Sequence, residues 1–411
     1  MVNVYNTETP LVMHIDLNSC FATIEQQSRP LLRGKPIAIV NRATEHTALV
    51  TVSYEAKALG VQPLMKLRDA RKLAPDIVAI ESDPAKYKFV YRKLLAIMQE
   101  YSAHVTMKSI DEGIIDFHEA PEAIQARGLE AIGREIKQRL RDEVGIAMRC
   151  NIGIAPNRFL AKTAASLHKP DGLDIVTPHN VHEVFAGLKL TQLNGIASRN
   201  EVRLNAVGIY TPLDFLAADE ETLRRVVFKS IDGTKWYKRL RGWEVDNIET
   251  TMGRVGRQYV LERFDLTRDD ILQRLHHLSE SVGWRMRKQR LAARGVYVYA
   301  RTSERQYWHA CQVLPLPFYS NQVIYAIAKR LFKDAPSDIR EIGVHCYELE
   351  RDESRGQLSL FADELAHERA IVTATDAINE RYGERTIVSA DTIDTGIYVS
   401  QKIPFGSTRY L

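Results

Sequence analysis

The order of hydrophobic periodicities between residues 11 and 154 restricts this chain more than any other feature. Leu11–Leu17 is a nearly continuous apolar run and reads as a buried strand. From Lys86 to Tyr101, Val90, Leu94, Ile97 and Tyr101 recur at helical spacing. Val105–Phe117 holds two short apolar runs about a polar tip, the pattern of a hairpin. Leu129, Ile132, Ile136 and Leu140 then line one face of a second helix, and Ile146–Ile154 is a further strand. Two short strands, Pro36–Val40 and Ala48–Val52, and a glycine-ended helix, Tyr54–Gly60, read as a block inserted after the first strand. With that block set aside the order is strand, helix, hairpin, helix, strand. This is the split β-α-β-β-α-β pattern of a ferredoxin-like sheet, an architecture shared by many functions.

The hairpin tip is Ser109-Ile110-Asp111-Glu112-Gly113. Neighbouring side chains on a straight strand point to opposite faces, so both acids reach one point only where the chain bends. Gly113 permits a bend, and the two acids are expected at the tip of a tight turn. An acidic tip alone is more often a solvated turn. Asp16, near the end of the first apolar run, changes that reading. Three carboxylates at one sheet edge suit a hard cation such as magnesium, and pairs of such ions clamp in-line phosphoryl transfer.

A helix over Asn157–Leu167 is stopped by His168–Gly172. Arg199–Leu204 then lies between two glycine turns and resembles a helix-hairpin-helix, whose backbone amides can hold a phosphate, and equally an ordinary helical connection. Trp236, Tyr237, Lys238, Arg239 and Arg241 interleave aromatics with cations. That fits a nucleic-acid surface and equally a helix that packs its aromatics inside. Beyond a polar stretch, Ile271–Arg290 and Gln322–Phe332 read as helices and Ala292–Ala300 and Ile342–Tyr347 as strands, a second small α/β unit.

Charge separates this unit from the rest. The formal net charge is +4, yet Arg254–Arg305 holds 12 Lys/Arg against 6 Asp/Glu. A basic module on a near-neutral body is an electrostatic footprint for a polyanion, although a charge run is also commonly a solvated face. The 4 cysteines contain no C-x-x-C pair, which argues against a zinc ribbon and fits a reducing cytoplasm. No apolar run approaches a membrane span.

Four motifs in order carry a family resemblance. They are His14-Ile15-Asp16-Leu17 with Phe21, Ser53-Tyr54 with Lys57, Ser109-Ile110-Asp111-Glu112, and Ala161-Lys162 with His168-Lys169-Pro170-Asp171-Gly172. Together they resemble the Y-family, translesion DNA polymerases of the bacterial DNA polymerase IV branch. The likeness is strong over residues 10–215, looser through the basic module and weak after Phe361. It implies an α/β multidomain enzyme: a ferredoxin-like palm (1–17 and 80–185), small fingers (18–79), a helical thumb (186–246), a linker (247–256), an α/β little finger (257–349) and a C-terminal tail (350–411).

The implied reaction is template-directed, low-fidelity addition of deoxynucleotides to primer-template DNA, without proofreading, by a cytoplasmic monomer. The resemblance implies two Mg2+ ions held by Asp16, Asp111, Glu112 and the Leu17 carbonyl. Thr51, Tyr54, Lys57 and Lys169 would hold the deoxynucleoside triphosphate, and Phe21 would sit against its sugar. Gln357-Leu358-Ser359-Leu360-Phe361 resembles the bacterial sliding-clamp-binding motif, with Gln357, Leu358, Leu360 and Phe361 as contacts. Two departures stand out. The family usually has arginine at Lys57, and its clamp motif usually ends the chain, whereas 50 residues (411 − 361) follow here.

Two other readings compete. One is a DNA-binding accessory factor with a degenerate site, against which the three carboxylates count. The other is a different palm enzyme such as a nucleotide cyclase, against which the thumb-like segment and basic module count.

Overall fold

Strand β1 (Val12–Leu17) is central in a five-stranded sheet and buried on both sides. Met13, Ile15 and Leu17 enter one apolar core and Val12 another, as strand alternation requires. In this computed structural model residues 5–248, 251–263, 265–352, 362–383, 385–397 and 399 are described. They form two units, one ending at Ile248 and the other holding the described residues from 251 to 399.

After β1 the first unit continues with α1 (Cys20–Ser28), β2 (Ile37–Val40), β3 (Leu49–Val52), α2 (Tyr54–Ala58), α3 (Leu67–Leu73), β4 (Val78–Glu81), α4 (Pro84–Gln99), β5 (Val105–Met107), β6 (Glu112–Asp116), α5 (Glu122–Gln125), α6 (Leu129–Glu143), β7 (Cys150–Ala155), α7 (Arg158–Ala164) and β8 (Leu173–Ile175). The large sheet runs β5-β6-β1-β7-β8, and β1 is antiparallel to both neighbours. The first four strands have the ferredoxin-like order that the sequence pattern predicts. Strand β8, parallel to β7, adds an edge too short to announce itself in the sequence. The apolar faces of α4 and α6 pack on the Met13 side of the sheet.

The bend in the acidic hairpin is not at Gly113. Gly113 is a paired strand residue opposite Ile15 and Met107. The turn lies earlier, where the Lys108 and Ser109 amides donate to the Glu112 carbonyl. Gly113 instead allows a close approach: a Cβ there would stand 2.6 Å from Met107 Sδ and 2.8 Å from Met98 Cε.

The inserted block forms its own sheet, β3-β2-β4, with α2 and α3 beneath it. Strand β4 pairs with β2, so residues 80 and 81 belong to this small sheet and cross the boundary expected at 79. Four helices follow the palm: α8 (Val181–Ala186), α9 (Ser198–Asn205), α10 (Pro212–Ala217) and α11 (Asp232–Leu240). Trp236 of α11 is buried and meets Phe159 edge-on at 5.4 Å. The buried Arg241 guanidinium donates to the carbonyls of Leu216, Ala218 and Tyr237. These two residues therefore serve the core rather than a nucleic-acid face.

The second unit comprises β9 (Arg254–Val260), α12 (Arg268–Lys288), β10 (Leu291–Thr302), β11 (Tyr307–Phe318), α13 (Asn321–Leu331), β12 (Ile339–Arg351) and α14 (Ala362–Tyr382). Its sheet runs β11-β10-β12-β9, and Val296 and Val298 join α12 and α13 in its core. The linker expected over 247–256 gives way to strand at Arg254. Part of the basic run is structural: Arg274 pairs with Glu262, and Arg268 donates to the carbonyls of Phe332, Ala335 and Pro336.

Described residues of α14 and of the segment 385–397 bond to α12, contacts without a sequence signal. Arg287 donates to both Asp376 oxygens at 2.6 and 2.9 Å and to the Tyr319 carbonyl at 3.0 Å. Arg385 bonds Glu280, and Asp391 Oδ2 accepts from His276 Nδ1 at 2.8 Å. Arg287→Ala should detach α14, since Asp376 would lose its cation at a part-buried site, a loss of roughly 2–3 kcal/mol. Hydrogen exchange would show α14 amides deprotected while β10 stays protected. Equal protection in mutant and wild type would mean that the ion pair does not hold the helix. Gln357, Leu358, Leu360 and Phe361 lie outside the described residues.

Candidate active site

The sheet places two of the three carboxylates opposite each other. Asp16 of β1 and Glu112 of β6 are direct cross-strand partners. Alternation puts both on the face that also carries His14 and Ile114. Asp111 arrives from the preceding turn, and its carbonyl accepts the Leu17 amide at 2.8 Å. This bond ties the acidic turn to the end of β1. Ser109 Oγ donates to Asp111 Oδ1. Burial raises the Asp111 carboxyl above the usual range, and the charges of Asp16 and Glu112 raise it further against the Ser109 bond.

Basic groups surround the other two acids. Lys162 Nζ donates to both Glu112 oxygens, at 3.0 and 2.8 Å, and His14 Nε2 lies 3.2 Å from Oε2. Burial acts to raise the Glu112 carboxyl, but the His14 and Lys162 hydrogen bonds and the Lys162 charge outweigh it and hold the group at about 2. A lowered carboxyl contributes stability above its ordinary value and loses it as pH falls through about 2.

Lys162 reaches Glu112 because α7 lies almost directly on β7. A Cβ at Gly153 would stand 2.0 Å from the Ala161 carbonyl oxygen, so only glycine permits that contact. Asn157 caps α7, accepting the Leu160 amide at 2.8 Å.

Lys169 lies 2.8 Å from Asp16 Oδ2. Two asparagines hold its loop: Asn18 Oδ1 accepts the Asp171 amide at 2.8 Å, and Asn151 Nδ2 donates to the His168 carbonyl at 2.9 Å. Asn18 and Asn151 also bond each other at 2.8 Å.

The inserted block supplies the remaining polar groups. Ser53 caps α2, accepting the Ala56 amide. Lys57 Nζ stands 4.4 Å from the Tyr54 ring centroid and 2.8 Å from Ser19 Oγ. Burial lowers the Lys57 ammonium, helped by the nearby Lys169 charge, while burial and the Asp16 charge raise the Tyr54 hydroxyl. Lys57, Tyr54, Lys169 and Asp16 thus share one electrostatic neighbourhood. Ser19 sits in the left-handed region at φ 44 just before α1, a conformation costly outside glycine and typical of sites held by their surroundings. Phe21, in the first turn of α1, is 3% exposed and stacks on Tyr87 at 4.3 Å. Thr51 is half-buried on β3, two residues before the α2 cap.

Among the described residues, ligand atoms of His14, Asp16 and Glu112 lie within 4.8 Å of one another. Asp111 stands outside that set, although its charge interacts with both acids. The carboxylate oxygens fit a hard divalent cation, and the Asp111 carboxyl beside them is raised first by burial and then by the Asp16 and Glu112 charges. His14 and Lys162 lie inside the quoted motifs, but nothing in their local sequence says that they meet an acid on another strand.

The chain matches the impB/mucB/samB family over residues 15–166 and that family's C-terminal domain over 255–360. It is 28% identical over 392 residues to DNA polymerase IV 1 of Bacillus subtilis (strain 168), covering 93% of each chain. It is 30% identical over 351 residues to DNA polymerase IV of Staphylococcus epidermidis (strain ATCC 12228), covering 83% of this chain and 96% of that one. In fold it is similar to a chimera of the Y-family DNA polymerases Dbh and Dpo4, with a TM-score of 0.70 at 23% identity, covering 82% of this chain and 98% of the other. A Dbh DNA polymerase in an insertion ternary complex gives a TM-score of 0.60 at the same identity and coverage. Two family matches, relatives aligned along most of their length and a shared palm agree with the four motifs, and the chain belongs to the Y-family of DNA polymerases, in its DNA polymerase IV-like group, as a DNA-directed DNA polymerase.

Proposed function

We propose that this polymerase extends primers opposite damaged template bases with low fidelity and without proofreading, using two Mg2+ ions. The observation that carries this reading is the Asp16–Glu112 cross-strand pair, with the Asp111 turn bonded to Leu17 beside it. Asp16, Asp111, Glu112 and the Leu17 carbonyl would hold the metals, which lower the barrier by neutralising charge on the triphosphate and activating the primer hydroxyl. Lys57 and Lys169 supply positive charge for the triphosphate, and Tyr54 a hydroxyl beside them. Lys57 offers one point charge where arginine would offer a fork, so its phosphate contact is the less directional. Phe21 presses on the sugar and disfavours a 2′-hydroxyl. The second unit grips duplex DNA through the arginines its own fold leaves exposed, Arg254, Arg294 and Arg301 among them.

Primer extension with and without Mg2+, on intact and damaged templates, tests the reading. Metal-independent extension, or none on any template, would refute it. No helix among the described residues is long and apolar enough to cross a membrane. The enzyme is read as a cytoplasmic monomer, to be checked by light scattering and by fractionation.

The motif at Gln357, Leu358, Leu360 and Phe361 would tether the enzyme to a bacterial sliding clamp. Apolar anchors in a polar, glycine-containing segment favour a partner pocket, and a clamp on DNA raises local polymerase concentration. Replacing Leu360 and Phe361 by Ala should leave extension of a bare primer unchanged and remove stimulation by the clamp. Stimulation that survives the double substitution would assign the segment to packing.

A further inference from the structure

Lys162 has an arrangement that a phosphate-binding lysine does not need. Its ammonium spans both oxygens of Glu112, at 2.8 and 3.0 Å, while His14 Nε2 approaches one of them at 3.2 Å. Both coordinating atoms of this carboxylate are therefore engaged by protein groups. The helix carrying Lys162 is fixed from two sides. It sits on β7 over Gly153, and its cap Asn157 donates to the Arg239 and Trp243 carbonyls at 2.8 and 2.9 Å. Lys169 holds Asp16 in a similar way at 2.8 Å. Two ammonium groups thus balance most of the charge of three carboxylates.

We propose that Lys162 is a resident counter-ion of the metal site, a positioning residue that competes with a divalent cation for Glu112 and makes metal loading depend on the nucleotide. This rests on the metal-site reading of Asp16, Asp111 and Glu112. A cation that binds Glu112 either displaces the ammonium from an oxygen or takes the lone pair left on Oε1 beside it, and in both cases the Lys162 charge stands close by and repels it. Without nucleotide the field left to attract a divalent ion is weak. A triphosphate changes the balance: it brings several negative charges and oxygen ligands, and it offers Lys169 an anion other than Asp16. The site then gains net attraction for the metal.

The test is Mn2+ binding to the full-length protein, followed by the electron paramagnetic resonance signal of free Mn2+, with and without a non-hydrolysable deoxynucleoside triphosphate. Lys162→Met keeps the stem and removes the charge. It should bind Mn2+ about tenfold more tightly than wild type without nucleotide, in line with loss of a repelling charge a few ångströms away. The further tightening on adding nucleotide should shrink. Lys162→Arg keeps the charge and should retain weak, nucleotide-dependent binding; this separates charge from packing. Equal or weaker Mn2+ binding by a folded Lys162→Met protein overturns the proposal. Asp16→Asn is the control for the reading beneath it. If Asp16→Asn binds Mn2+ as wild type does, the metal site itself is wrongly placed; if it loses binding while Lys162→Met behaves as wild type, only the counter-ion role fails.

Discussion

Asp111→Asn should give a folded, more heat-stable protein that has nearly lost nucleotide addition. The two effects have one cause. Burial and the charges of Asp16 and Glu112 disfavour the ionised Asp111 carboxylate in the metal-free protein. A carboxyl whose folded value is raised contributes stability below its ordinary range and loses it as pH rises, so at neutral pH the ionised group is a liability. Asparagine is uncharged and keeps an oxygen to accept the Ser109 hydroxyl. The melting temperature without metal should therefore rise. Nucleotide addition should fall by roughly 10²–10³-fold or more, the usual effect of removing one preorganised charged group from a transition state. Circular dichroism melts and single-turnover extension measure the two quantities. Extension within about tenfold of wild type would remove Asp111 from the metal ligands. An unchanged or lower melting temperature would mean that the acidic turn tolerates its charge.

Phe21→Ala should strongly destabilise the first unit and also change sugar selection. The ring is 3% exposed, stacks on Tyr87 at 4.3 Å with 13° between planes, and belongs to the core formed by α1, α4 and β1. Truncating such a ring costs roughly 3–5 kcal/mol, because the transfer energy is lost and a cavity remains. The same truncation removes the apolar face proposed to lie against the sugar, so ribonucleotide use should rise relative to deoxynucleotide use. Phe21→Leu separates the two effects: it keeps most of the volume and loses the flat ring. A stable Phe21→Leu protein with a raised ribonucleotide ratio supports both roles. A ratio unchanged in both variants would leave Phe21 as a core residue alone.

The core order of the first unit was legible because it depends on local repeats. Strand β1, helices α4 and α6 and the β5–β6 hairpin follow from periods of two and 3.6 residues, and β1, β5, β6 and β7 assemble in the ferredoxin-like order. Strand β8 and helix α3 were not legible, since each is short and takes its stability from distant neighbours. The acids were legible as chemistry but not as geometry. The turn at 108–111, rather than a bend at Gly113, brings Asp111 toward a strand face that Glu112 already shares with Asp16. Charge was least legible. Arg268, Arg274 and Arg287 belong to a basic run yet are spent on carbonyls and carboxylates of their own unit.

The sequence by itself determined the order of elements, the supply of three carboxylates and the cations near them, because these rest on residue identity and short-range spacing. Tertiary structure alone decided that Lys162 and His14 grip Glu112, that Asn18 and Asn151 hold the Lys169 loop, and that α14 docks on α12. Those contacts join residues far apart in the chain. Their formation depends on sheet register and on how closely two backbones approach, as at Gly153, where a single Cβ would separate the strand and helix that build the site.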